Sequence, residues 1–277
     1  MRFIVPSAAK LNLSLRVAGR LENNYHNIVS LFWRLPSVES LWISIAERED
    51  EVRCRGIEVE GENIVSRALR YARNTGRKIP FLNVEIVKAL YPGSGLGAGS
   101  GNAAAVLRWL AGDGYSFEWR KTALETGADV PFLFSGHSLA LISGIGEVLE
   151  PLDPLPLINA WIVFPEWSVG TENAYGELDR RCGGVYPLDE AAARIEAEML
   201  CHKLRHKEQI GFLPNDFTPG LIDKFPDYGK LFQVFEDEGS CAWGITGSGG
   251  AAFALFYDTS NSAIVTWPPW VRQVLSV

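Results

Sequence analysis

Residues 92–107, PGSGLGAGSGNAAAVL, constrain the fold more than any other part of the chain. Glycine fills every second position from Gly93 to Gly101, and an alanine-rich run with good helix propensity follows. Just upstream, residues 82–88 (LNVEIVK) alternate apolar and polar side chains and read as a strand. A strand that passes through glycines into a helix leaves unpaired N–H groups at the helix start, lined by residues that let an anion come close. That is the form of a phosphate loop. The competing local reading is a loose surface loop, with Ser100 or Asn102 capping a helix over 102–112. No Gly-Lys-Ser/Thr follows, so this is not a Walker A loop, and GxGxxG is absent in every frame.

The remaining chain is compatible with a small-molecule enzyme. At 277 residues and 47% hydrophobic content it can bury a large core, and two domains are expected, 1–148 and 149–277. A net charge of −7 gives no help toward nucleic acid or an anionic membrane. Cys54, Cys182, Cys201 and Cys241 form no CxxC pair, which argues against a zinc ribbon or a disulfide framework and suits a reducing cytoplasm. Pro6 and Lys10 interrupt the apolar N-terminus, and no run approaches the ~20 residues of a membrane span. A cytoplasmic monomer or homodimer is expected.

Along the chain, residues 10–17 alternate as a strand whose polar face, Lys10, Asn12, Ser14 and Arg16, points to solvent. Further strands are predicted over 40–46, 139–142, 161–164 and 252–257, and helices over 62–72, 119–126, 189–206 and 228–237. The proline-rich 150–156 reads as a connector. The mixture lacks a strict βαβ rhythm, so α+β is the expected class.

Three further groups carry candidate chemistry. Lys10 can steady a phosphate or lower a neighbour's pKa, or it is simply a solvated edge residue. Tyr25 can stack on a base and His26 can hydrogen-bond one. Asp129, between a helix stop at Gly127 and an apolar run, suits a general base or a plain turn residue. Cys201, His202 and His206 invite a metal reading, since the two histidines four apart share one helix face, but with no third ligand at metal spacing a solvated basic face is the better reading.

Taken in order, PSAAKLNLSL, PGSGLGAGSGNAAAVL, GADVPF and ITGSGGAAFALF resemble the three-motif signature of the GHMP kinases. With NYHNIVSLF, GADVPFLFSGHSLALISGIGEVLEPL and LPNDF, the likeness narrows to the branch that phosphorylates a cytidine-diphosphate-linked methylerythritol. It implies a two-domain fold, with a ribosomal-protein-like N-terminal α/β domain and a ferredoxin-like C-terminal domain. It also implies ATP and Mg²⁺ as cofactors and a small cytidine-diphosphate substrate. Lys10 and Asp129 fall on the catalytic positions. Asn63 falls on an adenine contact, and Pro92, Gly93, Ser94, Gly95, Leu96, Gly97, Ala98, Gly99, Ser100, Gly101 and Asn102 on the loop around the ATP phosphates. Asn12, Tyr25, His26, Thr171 and Tyr175 match substrate positions, as does the third-motif turn Gly247, Ser248 and Gly249. Two departures stand out. Gly101 replaces a usual serine, and Asn24 replaces a glycine before Tyr-His, at a position where a left-handed backbone angle is expected. Another small alcohol as acceptor, or a homologue that binds nucleotide without transfer, are the alternatives.

Overall fold

The computed structural model describes residues 1–57, 61–112, 116–257 and 265–277. Two long strands, β1 (Arg2–Arg20) and β2 (His26–Ala46), open the chain and pair with each other. Residues 1–10, 34–92 and 97–138 form one compact unit, and residues 11–33, 93–96 and 139–277 form a second. This partition differs from a single cut after 148. The first unit takes residues 2–10 of β1 and 34–46 of β2, and the second takes residues 11–20 and 26–33. Each therefore contributes to both units.

In the first unit, β2 from Ser40 to Ala46 pairs antiparallel with β4 (Phe81–Lys88), and β4 pairs parallel with β3 (Glu51–Gly56). Leu41, Ile43, Leu82, Val84 and Ile86 point to one face. There they meet Val65 and Leu69 of α1 (Ile64–Asn74) and Ala105 and Val106 of α2 (Ala98–Ala111). The helices α3 (Phe117–Thr126) and α4 (Val130–Ser135) complete the unit. Asn102 is not a helix cap: α2 starts at Ala98, and its N-cap is Gly97, at φ 64°. Glycine takes that left-handed angle without strain.

The expected solvated polar face of β1 is also corrected. Leu11, Leu13, Leu15 and Val17 are buried as predicted, but so are Lys10, Asn12 and Ser14. Their polar atoms have internal partners: Asn12 Nδ2 donates to Ser30 Oγ at 2.9 Å, and Leu31 N donates to Ser14 Oγ at 3.1 Å. Local alternation shows which side chains share a face, not whether another element covers it.

In the second unit, residues 28–33 of β2 pair with β5 (Leu139–Gly144), and β5 with β6 (Val148–Leu152). The predicted connector thus begins as a strand. Pro151 lies opposite Ala140 in β6, which ends the strand order, so the N–H that proline lacks is not missed by a further neighbour. A separate sheet has the order β11 (Val271–Ser276), β7 (Asn159–Pro165), β10 (Ala252–Phe256), β9 (Ala242–Ile245), β8 (Gly211–Phe212). It packs with α5 (Thr171–Cys182), α7 (Thr218–Lys224) and α8 (Tyr228–Asp237) around Val163, Leu178, Leu221, Tyr228, Phe235 and Ala254. The helix α6 (Glu190–Arg205) matches the predicted charged helix. Neither α5 nor α7 is evident in the sequence: α5 buries only Ala174 and Leu178 and carries Gly176 in its interior.

The contact between α2 and β1 yields a direct test. A Cβ at Gly101 would lie 1.7 Å from the Ala8 carbonyl oxygen, whereas one at Gly99 would meet only Ile64 Cγ2, at 3.5 Å. Gly101→Ser is therefore expected to cost about 1–3 kcal/mol or more through forced backbone displacement. Gly99→Ala should change stability by no more than about 1 kcal/mol, in the stabilising direction that helix propensity favours. Denaturant unfolding monitored by circular dichroism measures both.

Candidate active site

Lys10 and Asp129 meet in the first unit. Asp129 is the N-cap of α4, set in place by the turn in which Val130 N donates to Gly127 O at 3.1 Å. The Lys10 ammonium lies 3.8 Å from Asp129 Oδ2, with the lysine side chain 5% exposed and the aspartate 29%. Burial pushes the Lys10 pKa below its ordinary value, and the Asp129 charge opposes that shift. The carboxylate thus keeps a solvent-facing side while its cation is enclosed.

Gly97 completes this arrangement. A Cβ there would stand 2.9 Å from Asp129 Oδ2 and 3.3 Å from Lys10 Cε. The backbone at the start of α2 therefore rests on the charged pair, and any side chain at 97 would occupy that space. The N–H groups of the first turn of α2 have no earlier helical carbonyls to bond, and the helix dipole favours negative charge at this end. Gly101 N, one turn in, donates to Gly97 O at 2.9 Å. The hydroxyl that the resemblance expects at 101 has no room beside Ala8.

The first arc of the loop, residues 93–96, belongs to the second unit and interlocks with the late glycine cluster. Ala251 N donates to Ser94 O at 3.0 Å, and a Cβ at Gly95 would lie 2.2 Å from Thr246 O. The cluster is braced from behind. Asn215, in LPNDF, donates from Nδ2 to Ile245 O and Gly247 O at 2.8 and 2.9 Å. The buried Tyr228 donates to Gly250 O at 2.9 Å, and burial pushes its pKa up to about 12. Ser248 Oγ and Thr171 Oγ1 are 3.1 Å apart, which brings two of the expected substrate residues together.

The tip between β1 and β2 carries the other candidates. Leu21 N donates to Tyr25 O at 2.7 Å, and Asn24 sits at φ 67°, the left-handed angle anticipated there. Tyr25 is 62% exposed, whereas His26 is enclosed. The His26 ring stacks on Tyr175 at 4.4 Å between centroids, and its Nε2 lies 2.7 Å from Asp179 Oδ1. Tyr186 OH donates to the same carboxylate oxygen at 2.8 Å, and Arg20 approaches Asp179 Oδ2 at 3.5 Å. Burial pushes the Asp179 carboxyl up, but hydrogen bonds from His26 and Tyr186 and the charges of His26 and Arg20 outweigh it and hold it below the usual range. Burial and Asp179 together push Tyr186 up to about 12. Neither Asp179 nor Tyr186 was singled out in the sequence, because each acts on His26 from more than 150 residues away.

The other expected residues have structural partners. Asn12 is buried, its backbone N donating to Thr246 Oγ1 at 3.0 Å. Asn63 caps α1, accepting from Val65 N at 2.9 Å, and donates from Nδ2 to Cys54 Sγ at 3.2 Å. Asn102 is buried and donates to Glu39, an acid that the sequence did not mark. Among the described residues no group of three or more His, Cys, Asp or Glu could hold a metal ion. Among them also, no helix is long and apolar enough to cross a membrane.

The geometry places glycine-lined backbone against a lysine–aspartate pair, in a chain that is similar to known proteins over most of its length. The family described as "GHMP kinases C terminal" matches residues 188–266. The 4-diphosphocytidyl-2-C-methyl-D-erythritol kinase of Thermotoga maritima is 33% identical, over 94% of this chain and 94% of that protein. The enzyme of the same name from Porphyromonas gingivalis is 31% identical over 91% and 92%. A crystal structure of 4-(cytidine 5'-diphospho)-2C-methyl-D-erythritol kinase superposes with a TM-score of 0.71 at 27% identity, over 93% of this chain and 90% of the other. Identity of this extent over nearly the whole chain shows that the protein belongs to the 4-diphosphocytidyl-2-C-methyl-D-erythritol kinase family of the GHMP kinases.

Proposed function

We propose that this protein is an ATP-dependent kinase that phosphorylates the 2-hydroxyl of 4-diphosphocytidyl-2-C-methyl-D-erythritol, a cytoplasmic step of the non-mevalonate route to isoprenoid precursors. The observation that carries the reading is the seating of Gly97, at the start of α2, on the Lys10–Asp129 pair. Phosphoryl transfer asks a protein chiefly for positioning and for charge compensation, and both meet at this point.

Asp129 accepts the hydroxyl proton. The substrate oxygen then forms its bond to the γ-phosphorus as the bond to the β-phosphate oxygen breaks, ADP leaves, and the proton passes from Asp129 to water. Lys10 balances the charge that builds up on the attacking oxygen. The loop from Pro92 to Asn102 holds the phosphates through its backbone N–H groups, assisted by the α2 dipole, and Asn63 stands at the adenine side. Ser100, at the start of α2 in the first unit, is a hard oxygen donor, the kind that Mg²⁺ prefers when it is bound with nucleotide phosphates. When bound, Mg²⁺ would neutralise phosphate charge.

Tyr25 stacks on the cytosine with its exposed ring, and His26 hydrogen-bonds the base, its ring set by Asp179 and Tyr175. Asn12, Thr171, Tyr175 and the Gly247–Ser248–Gly249 turn line the substrate side.

A coupled ADP-release assay with this substrate is expected to show turnover that Asp129→Asn lowers by roughly 10²- to 10⁴-fold, with the KM for ATP little changed. Undiminished turnover in that variant removes the assigned base. Tyr25→Ala should raise the KM for the cytidylyl substrate by about tenfold, since stacking on a base is worth roughly 1–3 kcal/mol. If cytidine nucleotides do not compete although ATP binds, the acceptor is another small alcohol. The rate should also fall on the alkaline side as Lys10 loses its proton, at a pH below the ordinary lysine value of 10.5 because burial lowers its pKa. Lys10→Arg should move that limb upward.

A further inference from the structure

Glu39 has no part in the roles above, yet among the described residues of the first unit it is the acid with the most side-chain hydrogen bonds. It lies in β2 with its side chain fully buried. Its Oε1 accepts from Lys88 Nζ at 2.8 Å, Ala89 N at 3.0 Å and Leu90 N at 2.9 Å. Its Oε2 accepts from Lys88 Nζ at 2.9 Å and Asn102 Nδ2 at 2.8 Å. A buried carboxylate is costly unless it is paired and hydrogen-bonded, and here both conditions are met.

The positions of these donors are informative. Lys88 ends β4, and Ala89 and Leu90 are the next two residues before the glycine run. Asn102 lies on the far side of that run, in the second turn of α2. One carboxylate therefore ties together the two ends of residues 91–101. The cation that neutralises it comes from the same junction, so the tie adds no net negative charge beside the loop.

We infer that Glu39 is a positioning residue for nucleotide binding: with Lys88 and Asn102 it clamps the two ends of the glycine loop, so that the loop's N–H groups are held ready for phosphate. The inference rests on the proposed role of that loop in ATP binding. Glycine-rich segments lose much conformational freedom when they are ordered, and a clamp at both ends removes part of that cost before the ligand arrives. Asn102 then serves the phosphates from behind the loop, through Glu39.

The test is titration calorimetry on the full chain with two ligands, a non-hydrolysable ATP analogue with Mg²⁺, and CDP, alongside thermal unfolding. The double variant Glu39→Gln/Lys88→Met removes both charges together, which avoids leaving one buried ion alone. It is expected to weaken binding of the ATP analogue by about tenfold or more while CDP binding stays within about twofold. Asn102→Ala, which deletes a single hydrogen bond and leaves the ion pair in place, should weaken the analogue about threefold with the same split. It also supplies the answer if the double variant does not fold. Unchanged affinity for the analogue in folded Asn102→Ala protein, or an equal loss for both ligands, overturns the inference and makes the cluster purely structural. If the wild-type chain binds no ATP analogue, the kinase reading falls, and the inference with it.

Discussion

The site depends on backbone meeting backbone and charge where no side chain intervenes. At Gly97 the main chain lies against the Lys10–Asp129 pair, and at Gly101 it lies against the Ala8 carbonyl. Both contacts join the start of α2 to β1, and the first also joins it to α4. A methyl group at either position would separate these elements. The glycine run is thus conformationally permissive in its sequence but held tightly at its helical end, which suits a loop that must present N–H groups at fixed positions.

Electrostatics follow from the same packing. Lys10 is enclosed because β1 is covered on both faces there, and enclosure makes its charge costly, an effect that the nearby Asp129 opposes. Asp129 remains partly open, at the N-cap position of a short helix whose N–H groups its side chain does not bond. An enclosed cation beside an accessible carboxylate is the polarity that the proposed proton acceptor requires. In the second unit, Asp179 takes the corresponding supporting part for His26, fixing the ring through one of its nitrogens.

The parts of this account that were legible in the sequence are those encoded locally. The alternation over 82–88, the glycine run and the alanine-rich helix all follow in the order that the pattern gives, with the helix starting five residues earlier than a cap at Asn102 would place it. The left-handed turn at Asn24 was also legible. What could not be read depends on distant partners. Asn12 looked like a solvated strand residue because its partner Thr246 lies 234 positions away. Glu39 was not marked in the sequence because its donors at 88–90 and 102 are brought to it only by folding. The helix α5 was hidden by an interior glycine and a sparse apolar face, and β6 by a proline that only an edge position tolerates.

The central claim is that the close approach of Gly97 to the Lys10–Asp129 pair creates the geometry for phosphoryl transfer. The most direct measurement is the single-turnover transfer rate of Gly97→Ala, with both substrates saturating, in protein shown to be folded by circular dichroism. The added methyl group faces Asp129 at 2.9 Å and forces a left-handed residue to carry a side chain. The account predicts a fall of at least about 100-fold, the scale expected when reacting groups are displaced by about an ångström. A folded Gly97→Ala protein that transfers phosphate at the wild-type rate would contradict it.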